Sequence, residues 1–158
     1  MAFVKNTYQQ MSFNDSLNQL SERERRLLDK SWAKVFGDEI FPRIDENRFA
    51  VLYSGREASR PNTPVNIVVG GLLLEKLFDL TDEEIIETIN FDVRFQYALH
   101  TTVYDQQPFS TNTFRRFRNR NDAYREAAGV DLLEEYMEEL LEMIRENPKL
   151  KAAARRIM

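Results

Sequence analysis

The segment VNIVVGGLLLEKLF, residues 65–78, constrains the fold more than any other part of the chain. As a helix it is apolar nearly all round, and such a helix has no broad face to give to water. It must be surrounded, as the central helix of a helical domain is. The apolar run from Val65 to Leu74 holds Asn66, is followed by Glu75 and Lys76, and is far short of the roughly 18 residues a membrane span needs. Gly70-Gly71 lies inside it, where missing side chains let a neighbouring helix come close. No segment shows the clean alternation of a half-buried strand. The expected class is therefore all-α, a multi-helical domain of about five to six helices.

Local signals place the other helices. Ser21-Glu22-Arg23-Glu24 has the form of a capping box, followed by Leu27, Leu28, Trp32, Val35 and Phe36 at helical spacing, with Gly37 as a C-terminal stop. Phe41-Pro42 is a break, and a short helix is expected from Asp45 through Phe49 to Tyr53. Residues 54–64, SGREASRPNTP, read as a loop. Thr81-Asp82-Glu83-Glu84 is a second capping box, opening a helix that carries Ile85, Ile86 and Ile89 and is expected to run on through FDVRFQYAL. Thr101 to Pro108 is another loop. The last helix starts near Asp131, carries Leu132/Leu133, Tyr136/Met137, Leu140/Leu141 and Ile144, and ends at Asn147-Pro148. Residues 1–20 are polar and expected to be partly mobile; the helical domain is expected over 21–158.

Charge is segregated. The net charge is −4 and the sequence pI about 5.2. Yet Ser110 to Arg125 holds five arginines and one acid, whereas Pro61 to Phe109 holds two basic residues and eight acids. A partner meets the local field, not the sum. There is no cysteine, which excludes disulfides and thiolate chemistry and fits a reducing cytoplasm. The N-terminus lacks a basic region followed by an apolar run, so no signal peptide is expected.

The basic segment, FSTNTFRRFRNRN, reads as a helix capped by Ser110 and broken near Gly129. Stepping about 100° per residue puts Phe114, Phe117, Asn121 and Tyr124 on a packing side. Asn112, Arg115, Arg116 and Asn119 fall opposite, facing solvent. Arg118 and Arg125 flank one margin and Arg120 the other. Arginine bonds guanine in pairs and asparagine bonds adenine in pairs, while the flanking arginines suit phosphates. Such a helix can serve as a recognition helix, braced by the segment from Thr81 to Leu99 in a helix-turn-helix-like arrangement. The candidate DNA-binding residues are Asn112, Arg115, Arg116, Arg118, Asn119 and Arg120, with Arg60 of Arg60-Pro61-Asn62 as a basic arm. The competing reading has the arginines hydrated, or neutralised by Glu134, Glu135, Glu138 and Glu139 of the final helix.

Nothing else forms a catalytic constellation. His100 is the single histidine and has no cysteine partner, so it is assigned a packing or loop role. Asp92 beside Arg94 reads as a structural pair or cap, and Asp82-Glu83-Glu84 as acids attracted to a helix N-terminus. The Phe91/Phe95 pair reads as core.

Three segments in order, RFAVLYS with SRPNTPVNIVVGGLLLEKLF, LTDEEIIETINFDVRFQYALHTT and QPFSTNTFRRFRNR, resemble the N-terminal domain of bacterial insertion-sequence transposases of the DDE type, the InsH-like group. The similarity covers roughly Phe49 to Arg120. It implies a helical domain that binds double-stranded DNA at the ends of a mobile element and helps pair two subunits as a homodimer. Catalysis in that family uses Asp, Asp and Glu holding divalent metal ions, magnesium in type, on a ribonuclease-H-like domain. That domain would follow the last helix, so the chain is expected to be a non-catalytic fragment with no catalytic residue, metal ligand or cofactor of its own. The resemblance leaves two functions open: recognition of element ends, or subunit pairing with little DNA affinity.

Overall fold

A computed structural model of the chain describes residues 3, 5, 15–53, 63–148 and 151–152. Seven α-helical segments occur among them: α1 (Glu22–Asp29), α2 (Trp32–Val35), α3 (Val65–Phe78), α4 (Asp82–Phe91), α5 (Val93–Ala98), α6 (Thr113–Ala128) and α7 (Leu132–Glu146). Short 3-10 turns join them at Ser16–Gln19, Phe41–Arg43 and Glu46–Leu52, and a π-helical turn at Phe36–Ile40. No strand occurs among the described residues, and the class is all-α. The described part of the N-terminal segment is tied down, since the Ser16 amide donates to the Thr102 carbonyl at 2.8 Å and its hydroxyl to Gln96.

Helix α3 is central. From Val65 to Glu75 all residues except Asn66 are buried. Its two glycines are points of contact. A Cβ on Gly70 would lie 2.7 Å from Leu99 Cδ2, and one on Gly71 would lie 3.0 Å from the Phe114 ring and 3.1 Å from that of Phe109. Any larger residue at 71 would have to displace two aromatic rings of a close-packed core. Phe49 joins the far side, with ring centroids 5.4 Å from Phe117 and 5.5 Å from Tyr136. A second aromatic group, Trp32 with Phe78 and Phe95, closes the core at α2 and α5.

Both capping boxes form as expected, at Ser21/Glu24 and Thr81/Glu84. Asp131 caps α7 and Asn147 ends it. Four local expectations are corrected. Gly37 does not stop a helix. It lies in the π-helical turn, where its hydrogen leaves room for Tyr97, whose carbonyl oxygen a Cβ would approach to 2.8 Å. The helix from Thr81 does not run on to Leu99. It breaks at Asp92, whose extended backbone ends α4 and whose carboxylate accepts the Arg94 amide to start α5. Phe95 is core, but Phe91 is 89% exposed on the last turn of α4. Leu27 lies on the outer face of α1, 60% exposed.

His100 has its packing role. Its backbone is left-handed at φ 58°, its Nε2 is 2.6 Å from the Gly37 carbonyl, and its ring lies 4.4 Å from that of Phe41. A carbonyl can only accept, so Nε2 carries the proton. Asp92 and Arg94 form the expected ion pair at 2.8 Å.

Candidate nucleic-acid interface

Helix α6 begins differently from the expectation. The Ser110 side chain accepts no amide of the first turn. Instead the Ser110 amide donates to Thr113 Oγ1 at 2.8 Å, and the helix starts two residues later, with Asn112 at the cap position and no side-chain cap bond. Asp131 lies beyond the C-terminal end, reached through Gly129 at φ 76°, a left-handed turn that glycine adopts without steric cost. Phe114, Phe117 and Asn121 are buried on the packing side and Tyr124 is half-buried.

Of the opposite face, Arg115, Arg116 and Asn119 are exposed and Asn112 is half-buried. No ion pair within 4 Å engages Arg115 or Arg116 among the described residues. The margins are different. Arg118 donates to Glu75 Oε2 at 2.9 Å and to Asp82 Oδ2 at 2.7 Å, so it ties α6 to α3 and to the first turn of α4. Arg125 pairs with Asp122 and Asp131. Arg120 lies over the Tyr53 ring, 4.7 Å from its centroid. Arg60 lies outside the described residues.

The final helix does not neutralise the arginines of α6. Glu139 makes a paired bond with Arg48 at 2.8 and 3.0 Å, and Glu138 lies 3.7 Å from Lys76. The acids that reach α6 from elsewhere are Glu75 of α3 and Asp82 of α4, at Arg118, and Asp131 at the cap of α7, at Arg125. Glu75 was visible in the sequence as a lone carboxylate on an apolar helix, a pattern that demands a partner, but nothing local said which one. Asp82 was read as a helix N-terminal acid; it also meets Arg118.

Electrostatics follow from these contacts. Burial pushes Glu75 up to about 8, aided by a hydrogen bond and negative charge from Asp82 and opposed by the Arg118 guanidinium. Asp82 is held below its ordinary value, chiefly by its bond to Arg118. Burial raises the Tyr53 phenol to about 12, so it stays a neutral hydroxyl at physiological pH. Among the described residues no three His, Cys, Asp or Glu side chains gather so as to hold a metal ion, and no helix is long and apolar enough to cross a membrane.

The helix therefore offers an outer strip of cationic and amide donors on a rigid support, anchored from beneath by one internal cluster. That is chemistry for polyanions and for hydrogen-bond acceptors. Comparison with known proteins gives an independent result. No curated protein and no solved structure matches the chain. A family model described as a transposase domain (DUF772) matches residues 14–120, more than half of the 158 residues, and the chain belongs to that transposase-domain family.

Proposed function

We propose that this domain binds duplex DNA through the exposed face of α6, as the end-recognising N-terminal part of an insertion-sequence transposase of the InsH-like group. The observation that carries the reading is the sorting of arginines along one helix. Arg118 and Arg125 meet carboxylates, whereas Arg115 and Arg116 face solvent without an ion pair. A guanidinium already held on a helix and outside any ion pair gives up little to reach a phosphate or a guanine edge. Asn119 stands beside them, and Asn112 and Arg120 extend the strip at either end. Arg118 supports the strip through Glu75 and Asp82. In this reading α4 and α5 brace α6 in a helix-turn-helix-like manner, and strand cleavage belongs to a separate metal-dependent domain.

The test is fluorescence anisotropy of a labelled random duplex from low to physiological salt. Arg115→Ala with Arg116→Ala is expected to weaken binding at least tenfold and to lower the salt slope by about one to two, because fewer counterions are released. Unchanged binding by a folded double variant would move the contact to another surface. Subunit pairing is the second reading, and the exposed Phe91 ring favours it. A concentration-dependent dimer in sedimentation, with no duplex binding at low salt, would select it.

A further inference from the structure

Among the described residues, the two margins of α6 differ in charge. On the α4 side, Arg115, Arg118 and Asn119 share a cleft with Asp82, Glu83 and Asp122. On the other side a small pocket is lined by Tyr53, Thr63, Thr113, Arg116 and Arg120, together with two apolar side chains. No carboxylate is among the described residues lining it. A phosphodiester entering the first margin meets three acids, of which Asp82 already pairs with Arg118 and Asp122 with Arg125. At the second it meets two guanidinium groups and a phenol.

The second margin is also better ordered for the task. Arg120 lies over Tyr53, with its Cζ 4.7 Å from the ring centroid. A cation held over a ring uses no N–H hydrogen bond in that contact, so its N–H groups stay available to acceptors. Tyr53 is in turn packed against Phe3, with centroids 6.0 Å apart. The side chain is thus held before any ligand arrives, which lowers the cost of fixing it on binding. Arg116, one turn earlier on the helix, lines the same pocket from the exposed face.

We propose that this margin is a backbone-phosphate subsite, in which Arg116 and Arg120 grip one phosphodiester of a duplex strand and Tyr53 positions Arg120. The strand then runs on the side of α6 away from α4, and Arg115 and Asn119 are turned toward base edges. The source of the phosphate rests on the DNA-binding reading above, but the subsite itself can be tested without DNA.

Two measurements on the full chain separate the cases. In amide NMR at low salt, inorganic phosphate is expected to shift resonances of Tyr53 and of Thr113 to Arg120. The response should survive Arg115→Ala and vanish in the Arg116→Ala/Arg120→Ala variant. In duplex anisotropy, Arg116→Ala and Arg120→Ala are each expected to lower the salt slope by about one, and Arg115→Ala by less. Tyr53→Phe keeps the ring and is expected to bind within twofold of the parent, while Tyr53→Leu is expected to lose as much affinity as Arg120→Ala. Silence of these amides toward phosphate, or an equal response in the double variant, overturns the subsite. So does a salt slope that Arg115→Ala lowers and the double variant does not, with the DNA reading left intact. A phosphate response without any duplex binding supports the subsite and sinks the DNA reading.

Discussion

Glu75 is 7% exposed, and one of its oxygens, Oε1, is buried with no hydrogen-bond partner. A carboxylate in that position is costly, and burial accordingly holds its proton to about 8, against an ordinary value of 4.5. Between those two values the folded chain keeps a proton that the unfolded chain has lost. Stability therefore falls as pH rises from about 4.5 to about 8, and levels off above that. Glu75→Gln retains the shape and removes the titration. Thermal melts across pH 5–9 are expected to show a shallower decline for the variant, which should exceed the parent by roughly 1–3 kcal/mol at the alkaline end. A variant that tracks the parent at every pH would mean that Glu75 titrates normally. Phe91 is the opposite case, an aromatic ring left in water. Phe91→Ser is expected to leave monomer stability within about 0.5 kcal/mol, by chemical denaturation, since no core contact is lost. A larger loss would mean that the ring is covered, as in a dimer.

At the scale of elements, the joint between α6 and α7 runs through one amide. Asn121 is buried; its Nδ2 donates to Asp131 Oδ1 at 2.8 Å, and its Oδ1 accepts the Leu133 amide at 3.0 Å. It thus holds the residue that caps α7 and satisfies one of that helix's free amides. Asn121→Ala breaks both bonds and is expected to cost about 2 kcal/mol, with amides near Leu133 exchanging faster by hydrogen exchange. Unchanged exchange there would show that α7 is held without the Asn121 bonds. The wheel put Asn121 on the packing side without a reason for an amide there; Asp131 and Leu133 supply it. Signals confined to one turn were legible in the same way at Ser21/Glu24, Thr81/Glu84, Asp131 and Asn147. They failed where another contact, distant or local, took their place. Gly37 serves Tyr97, not a helix end, and Thr113 Oγ1 accepts the Ser110 amide where the Ser110 hydroxyl was expected to accept a first-turn amide.

Across the whole molecule, charge is sorted by folding. The arginines of α6 were visible as a cluster, and the wheel separated the exposed Arg115, Arg116 and Asn119 from the buried Phe114, Phe117 and Asn121. Which of them keep their charge unopposed was not legible. The acids that meet Arg118 lie 43 and 36 residues away in the chain, on helices whose approach depends on Gly71 and the core around α3. The expected donors of negative charge, the glutamates of α7, turn to Arg48 and Lys76 instead. Arg48 is drawn there because Tyr136, buried on the inner face of α7, carries the guanidinium on its ring at 4.8 Å. By itself the sequence determined the all-helical class, the central helix, most starts and stops, and the two faces of α6. Each of these depends on periodicity or on groups within one turn. The tertiary structure alone decided which cations are neutralised, which margin of α6 is acidic, and that Glu75 keeps a proton. Those depend on side chains brought together from distant parts of the chain and on how little water remains between them.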